Sequence, residues 1–233
     1  MLNFDVLPDE LILHVFIYID LQHLLQSVNR VCHKFNDVIK KHSILWCHFE
    51  FPEQLELNKT NLENILSHSV RIVDLFMPCT VLKCKIPEIT KVFAASKFTY
   101  LDHLNISEAP ISTLCWLYNA PNIRVLDLSG CSLLVDEDFQ VLVDCFNLEQ
   151  LYLSFTNITQ TTLVKVCLNK HMYLLDACGV KLDVEHCRNL LKNVQGHMIS
   201  IHISLQNNVD QNDFKYHIID CFLDTTVKIY VQA

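Results

Sequence analysis

The chain has 233 residues, enough for one ordinary domain and a smaller one, and 51% of them are hydrophobic, which excludes an intrinsically disordered protein. Its formal net charge is −8, and no cluster of Lys and Arg with interleaved aromatic residues occurs, so we expect no nucleic-acid partner. With only 3 Gly and 6 Pro, no flexible linker is predicted, and any domain boundary should be packed.

The first twenty residues lack the pattern of an export signal, because Asp5, Asp9 and Glu10 stand where such a signal is basic. No apolar stretch approaches the roughly 18–20 residues that a transmembrane helix needs. We therefore expect no membrane association and an intracellular location, cytoplasmic, nuclear or both. The 11 cysteines are odd in number and scattered, so we expect them to be reduced and mostly buried. Core positions are predicted for Cys131, Cys145, Cys167 and Cys187.

The N-terminal segment predicts three short helices followed by Trp46. The first covers residues 8–19 and is apolar around most of its circumference, so it needs burial on two sides. Asp20 is suited to be the N-cap of the second helix, and the third begins near Val31. Fewer than about 50 residues can bury only part of so much apolar surface internally. The remainder must contact the next domain or a protein partner.

After residue 60 a repeat of the form L-x-x-L-x-L predicts a series of strands separated by helical patterns. Successive fourth positions are 22 to 31 residues apart, and they are Val73, Leu104, Leu126, Leu151, Leu175, Ile201 and Ile229. One strand-turn-helix unit cannot bury its own apolar face, so about seven units should stack around a continuous core. The fold class is therefore α/β, with a parallel sheet along one side.

Residues 1–49 resemble the F-box motif over about 45 positions. The matching segments are Leu7-Pro8-Asp9-Glu10-Leu11, Val15-Phe16-Ile17-Tyr18-Ile19-Asp20-Leu21, Val31-Cys32-His33-Lys34-Phe35 and Trp46. Residues 50–233 resemble cysteine-containing leucine-rich repeats, most closely at Leu126-Asp127-Leu128-Ser129-Gly130-Cys131. Together the two resemblances suggest the F-box/leucine-rich-repeat family.

This resemblance implies a non-catalytic substrate receptor of a Skp–cullin–F-box ubiquitin ligase. The helical module would bind a Skp-type adaptor, and through it a cullin and a RING subunit, while the repeats would bind a protein substrate. The predicted adaptor-binding residues are Leu7, Pro8, Leu11, Ile12, Ile17, Leu21, Leu24 and Leu25, with Val31 and Phe35 nearer the module's own core.

In each strand the leucines should point inward, so the residue between the last two should project from the concave face of the sheet. The predicted substrate-binding residues are Asp74, Asn105, Asp127, Tyr152, Asp176, His202 and Tyr230, with Phe155 beside Tyr152. Such an acidic and aromatic row would favour a basic segment of a partner over a phosphorylated one. The alternative is a solvated face, with contacts made by loops.

No cofactor, metal site or catalytic group is predicted. Cys79 and Cys84, with His103, lack the paired spacing of a zinc site, and the chain contains no nucleophile or phosphate-binding motif. One alternative function remains at this point. The N-terminal helices could merely cap the repeats of a protein-binding scaffold or assembly factor that has no role in ubiquitin transfer.

Overall fold

A computed structural model describes residues 4–50, 59, 62–63, 66, 72–77, 86–194, 200–205 and 228–232. Three short helices at the N-terminus lead into a sheet of eight strands. All strand pairs are parallel, and each strand lies beside the strand that precedes it in the chain. The buried side chains of the helices and of the sheet form one hydrophobic cluster.

The N-terminal module comprises α1 (Asp9–Phe16), α2 (Leu21–Gln26) and α3 (His33–Lys41). Pro8 precedes α1, and two acidic residues occupy the first turn of this helix, where they interact favourably with the helix dipole. The predicted N-cap of α2 is confirmed, because the Asp20 carboxylate accepts a hydrogen bond of 2.9 Å from the backbone N–H of His23.

Aromatic contacts and one carboxylate connect α1 to α3. Phe35 lies with its ring centroid 5.0 Å from that of Phe4 and 5.1 Å from that of Phe16. Asp9 lies 3.1 Å from the Lys34 ammonium and 3.2 Å from that of Lys41. Hydrogen bonds from Lys34 and then Lys41 hold the pKa of Asp9 below its ordinary value. The predicted three-helix module is therefore closed by both apolar and ionic contacts.

The module continues directly into the sheet. A short helix, Ser43–Trp46, places the Trp46 indole so that it donates a 2.9 Å hydrogen bond to the carbonyl of Ile39. The Trp46 ring stacks on that of Phe49 in β1 (His48–Glu50), with centroids 6.3 Å apart. The predicted boundary between residues 49 and 50 thus falls within a strand that pairs with the rest of the sheet.

The other seven strands place one apolar residue each at aligned positions. Their bounds are β2 Asp74–Phe76, β3 His103–Asn105, β4 Val125–Asp127, β5 Gln150–Tyr152, β6 Leu174–Leu182, β7 Ser200–Leu205 and β8 Lys228–Gln232. The aligned residues are Phe49, Leu75, Leu104, Leu126, Leu151, Leu175, Ile201 and Ile229. For all of these except Ile229, the side chain is described and buried. Of the seven predicted fourth positions, five are aligned and buried, and Ile229 is aligned by register alone.

The register of the first predicted repeat was wrong by two residues. Leu75, not Val73, pairs with Leu104, and Ile72, Leu75 and Met77 are the buried residues of this segment. A strand has a side-chain period of two, so a shift by two residues keeps the same face toward the core and leaves the alternating pattern intact. As a consequence, Asp74 precedes the central residue of its strand instead of following it.

Helices cover the inner face of the sheet. They are α4 (Ile86–Ala95), α5 (Gln140–Val143), α6 (Gln160–Val166) and α7 (Val184–Val194), with short helical turns at Cys115–Asn119 and Asp136–Phe139. Two further turns, Phe4–Val6 and Val28–Arg30, belong to the N-terminal module. Phe93 of α4 packs against Trp116 with ring centroids 5.0 Å apart, and Phe98 lies beside both. Among the described residues, no helix is both long enough and apolar enough to cross a membrane.

Polar contacts join neighbouring units on both sides of the strands. Before the strands, asparagine side chains donate to a carbonyl of the preceding unit, and these pairs are Asn122 to Thr99 at 2.7 Å, Asn147 to Pro121 at 2.9 Å and Asn169 to Cys145 at 2.8 Å. After the strands, the backbone N–H groups of Glu108, Gly130 and Phe155 donate to carbonyls of the following unit. These bonds satisfy backbone groups that the three-residue strands leave unpaired.

The cysteines provide a test of this packing. Cys131, Cys167 and Cys187 are fully buried, as predicted, and Cys145 is half-buried. Burial raises the pKa of Cys145 to about 11 and that of Cys167 to about 12, whereas Cys115 is exposed. Because the thiolate is the reactive form, iodoacetamide at pH 8 should modify Cys115 in the native protein and spare the three buried cysteines.

Peptide mapping by mass spectrometry measures this difference, and a sample unfolded in guanidinium is the control, in which all four residues should react. Rapid native modification of Cys167 would contradict the packing described.

Candidate protein-interaction surfaces

The outer side of α1 carries a stripe of exposed apolar side chains. Leu11 and Val15 are four residues apart in α1, the spacing of one helical face, and Leu7 and Tyr18 continue intervals of four and three residues just before and just after the helix. Leu11, Val15 and Tyr18 are 56%, 58% and 79% exposed. We refer to these four residues as the α1 stripe. Clustered exposed apolar residues are typical of an interaction surface, whereas isolated ones need no explanation.

A shallow groove adjoins the α1 stripe where α1 meets the short helix before β1. Its lining includes Ile17, Tyr18, Leu21, Ile44 and His48. Ile17 and Ile44 are themselves exposed apolar residues. The apolar surface of the module therefore extends from the start of α1 toward the first strand of the sheet.

The predicted adaptor-binding residues divide between this surface and the core. Leu7, Pro8, Leu11 and Ile17 are exposed, and Leu25 is half-buried. The other three, Ile12, Leu21 and Leu24, are buried in the core cluster, and adaptor contact by any of the eight stays a prediction. A helix that is apolar nearly all round does not reveal which side faces inward. Val15 and Tyr18 are exposed in the same region, although they were not among the predicted adaptor-binding residues.

The prediction for the module's own core was half right. Val31 is exposed, contrary to expectation, because it lies at the end of a short helical turn before α3. Phe35 is partly buried between the rings of Phe4 and Phe16 and packs against the core cluster. Val31 therefore extends the exposed apolar surface of the module, whereas Phe35 stabilises its interior.

The outer face of the sheet presents two rows of side chains, one on each side of the buried central residues. The row before the centre contains His48, Asp74, His103, Val125, Gln150, Leu174 and Ser200. The row after the centre contains Glu50, Phe76, Asn105, Asp127, Tyr152, Asp176 and His202, and Tyr230 follows by register. The Tyr230 side chain lies outside the described residues.

Five of the predicted concave-face residues are thus aligned in the second row: Asn105, Asp127, Tyr152, Asp176 and His202. The prediction was wrong for Asp74, which belongs to the first row, and Phe76 takes its place. Glu50 and Phe76 were missed because the strand β1 was not predicted and the register of β2 was shifted. The pairing of strands, not the local pattern, determines which residues share a row.

Ion pairs connect the strands in the first row and at the residues just before it. Both oxygens of the Asp74 carboxylate are paired, one with the His48 imidazole and the other with that of His103 at 2.5 Å. The Asp102 carboxylate accepts two hydrogen bonds of 2.5 Å from the Arg124 guanidinium. This bidentate contact holds the pKa of Asp102 below its ordinary value. Arg124 therefore already has a carboxylate partner.

The second row places Tyr152 between two carboxylates on the neighbouring strands, Asp127 of β4 and Asp176 of β6. The Tyr152 hydroxyl donates a 3.1 Å hydrogen bond to Gln150, whose amide contacts the hydroxyl of Tyr173. Burial raises the pKa of Tyr152, and the charges of Asp127 and Asp176 raise it further. The ring is therefore held in place with negative charge on both sides.

Phe155 has an unusual backbone conformation at the end of β5. Its φ is 58°, in the left-handed region that a bulky side chain rarely adopts, and its side chain is 69% exposed. Its N–H donates a 2.8 Å hydrogen bond to the carbonyl of Cys178, which fixes this geometry. The equivalent position of the next unit is Gly179, where a Cβ would lie 2.8 Å from Cδ1 of Phe155. Glycine there makes room for the exposed ring.

A metal ion needs several ligating side chains in a suitable arrangement. Within the described ranges, no group of three or more His, Cys, Asp or Glu side chains is arranged to hold a metal ion. Cys79 and Cys84 lie outside the described residues, so the spacing argument for them stays a prediction. The absence of a cofactor and of catalytic activity also stays a prediction.

Comparison with known proteins identifies the helical module. Residues 4–52 match the family model described as F-box-like, which covers about a fifth of the chain. This segment contains α1, α2, α3, Trp46 and β1. No curated protein matches the chain. The chain thus contains an F-box-like domain at its N-terminus, in the segment that carries the α1 stripe.

The strained conformation of Phe155 predicts an unusual mutational result. Asn adopts the left-handed region more readily than Phe, so Phe155→Asn should leave the free energy of unfolding unchanged or raise it by up to about 1 kcal/mol. The matched control is Phe139→Asn, which places the same side chain at a fully buried position and should cost roughly 3–5 kcal/mol. Urea unfolding followed by circular dichroism measures both changes. A loss of several kcal/mol in Phe155→Asn would show that the exposed ring is mainly a packing residue.

Proposed function

We propose that the chain is a substrate-recognition subunit of a Skp–cullin–F-box ubiquitin ligase. In this proposal the F-box-like module binds a Skp-type adaptor, which connects it to a cullin and a RING subunit, and the outer face of the sheet binds a protein substrate. The observation that supports it most strongly is the coincidence of two independent features in one segment. Residues 4–52 match the F-box-like family, and the same residues expose the α1 stripe.

The proposed adaptor contact is the α1 stripe together with Pro8, Ile17 and Ile44. Each large apolar side chain that becomes fully buried contributes about 1.5–3 kcal/mol, so three or four such residues contribute an amount comparable with the cost of association. The opposite side of α1 is already engaged, because Ile12 and Phe16 are in the core. Adaptor binding would therefore bury the second apolar side of a helix whose first side is buried by the chain itself.

We further propose that the sheet and its helices form a leucine-rich-repeat solenoid. The strands pair in chain order, each of the strands β1 to β7 carries a buried apolar residue at the aligned position, and hydrogen bonds of a recurrent type connect adjacent units. These features are typical of a stack of repeats in which each unit contacts its neighbours. A solenoid of this kind would present the two rows of the outer sheet face as one continuous surface.

In the proposed role the chain performs no chemical step and needs no cofactor. It would hold a substrate lysine near a ubiquitin-conjugating enzyme, which raises the effective concentration of the two reacting groups. The role places the protein inside the cell, in the cytoplasm, the nucleus or both.

A second function has one observation in its favour. The module packs Trp46 on Phe49 and supplies the first strand of the sheet, so it also covers one end of the stack. A scaffold or assembly factor without a ubiquitin role would need no more than this. A cap, however, needs only one apolar side, and it leaves the exposed α1 stripe without an explanation.

The two functions predict different adaptor affinities after negative charge is introduced into the α1 stripe. Leu11→Glu combined with Val15→Glu should lower the affinity for a purified Skp-type adaptor about 100-fold or more, because two apolar contacts worth about 1.5–3 kcal/mol each are lost. The matched control introduces the same charges at two exposed apolar residues in the turns before β5 and β6, Phe146→Glu with Leu168→Glu. They should leave adaptor affinity within about two-fold, which corresponds to a change in binding free energy below about 0.5 kcal/mol.

Biolayer interferometry with the full chain measures the affinities, and a circular-dichroism melt checks that both variants are folded. If the parent chain does not bind the adaptor, or if the charged α1 variant binds as tightly as the parent, the adaptor assignment is wrong.

A further inference from the structure

The outer sheet face around Tyr152 carries two carboxylates, Asp127 and Asp176, on the strands on either side of β5. The Asp127 carboxylate accepts hydrogen bonds from the Ser129 N–H at 2.9 Å and from the Asn105 amide at 3.1 Å, both neutral donors. The Asp176 carboxylate is contacted by the Ser154 hydroxyl and by the Cys178 N–H at 3.2 Å. In the part of the chain that the structure describes, no Lys or Arg forms an ion pair with either carboxylate.

These donors hold both carboxylates in position. Burial raises the pKa of Asp176, but hydrogen bonds from Ser154 and Cys178 outweigh this effect, and the pKa lies below its ordinary value. Among the described residues, His202 is the ion-pair partner of Asp176, with its imidazole 3.5 Å from the carboxylate. The charge is thus held in place but open to a cation from outside.

Arg124, just before β4, is engaged by other carboxylates. Arg124 makes a bidentate contact with Asp102 and lies 3.9 Å from Glu149, so its charge is shared by two carboxylates. These residues are on the amino side of the strands, whereas Asp127 and Asp176 lie on the carboxyl side of the strand centres. The second row therefore keeps its negative charge.

Aromatic surface lies between and beside the two carboxylates. Tyr152 is fixed by its hydroxyl contact with Gln150, and Phe155 exposes its ring at the end of the same strand. A guanidinium group stacks on aromatic rings and forms paired hydrogen bonds with carboxylates. An ammonium group stacks on aromatic rings less well. A phosphate group would be repelled by the same carboxylates.

From this arrangement we infer that the Tyr152 surface, defined by Asp127, Tyr152, Phe155 and Asp176, binds an arginine-bearing, non-phosphorylated segment of a partner protein. The inference rests on the proposed function, since it specifies which substrates the sheet face would accept. Asp127 and Asp176 are two strand steps apart, which corresponds to about 10 Å. Arginines three residues apart in a polyproline II segment are separated by roughly 9 Å on one side of the segment, which matches this spacing.

The test uses a defined probe, a fluorescein-labelled peptide Pro-Arg-Pro-Pro-Arg-Pro, and the full chain. Fluorescence anisotropy should show saturable binding that weakens strongly between roughly 0.05 and 0.5 M salt, because exposed charges are screened. A peptide with Glu in place of both Arg residues should not bind. Asp127→Asn combined with Asp176→Asn should raise Kd at least about ten-fold, which corresponds to about 1.4 kcal/mol.

The matched control removes one carboxylate charge from the helical turn Asp136–Phe139 and one from the end of α5, by Glu137→Gln with Asp144→Asn. It should change Kd less than about two-fold. Tyr152→Ala is a second variant that does not alter charge, and it should also weaken binding. The inference is overturned if the arginine peptide fails to bind, if the glutamate peptide binds equally well, or if the site and control variants bind alike. Adaptor affinity is measured on the same samples, so a chain that binds the adaptor but not the peptide contradicts this inference alone.

Discussion

The structure depends on a column of apolar residues, one from each of the strands β1 to β7, that lie side by side in the core. Leu75, Leu104, Leu126, Leu151 and Leu175 are all fully buried. Each strand is too short to be stable alone, so burial of this residue against its neighbours is what keeps the strand in the sheet. Because the central side chain points inward, the residues on either side must point outward. The same constraint therefore builds the core and presents the two polar rows.

The N-terminal module belongs to this arrangement instead of being a separate attachment. Phe49 occupies the first place in the column, and Trp46 stacks on it while its indole N–H is bonded to Ile39 of α3. One side of α1 is then engaged in the core, and the other side exposes the α1 stripe. In the proposed function the module thus has two roles, closure of one end of the sheet and attachment to an adaptor, and these roles use opposite sides of the same helix.

The features that a sequence reveals here are those determined by local chemistry and by periodicity. The Asp20 cap, the three helices of the module and the strand centres from Leu104 to Ile201 were all predictable, because each follows from residues near one another in the chain. The inward side of α1 was not predictable, since Ile12 and Leu11 are equally apolar and only contacts with α3 distinguish them. The position of Asp74 depended on a register that period-two patterns leave open. The left-handed conformation of Phe155 arises from a bond to Cys178 in the next unit, which no local pattern indicates.

The central claim is that one chain uses two separate surfaces, the α1 stripe for an adaptor and the outer sheet face for a substrate. Hydrogen–deuterium exchange of the full chain with and without a purified Skp-type adaptor tests this claim most directly, because it reports on both surfaces at once. The account predicts slower exchange in residues 6–18 and around Ile44, with no change in β4 and β5. Protection of β4 and β5 by the adaptor, or unchanged exchange in residues 6–18, would contradict it.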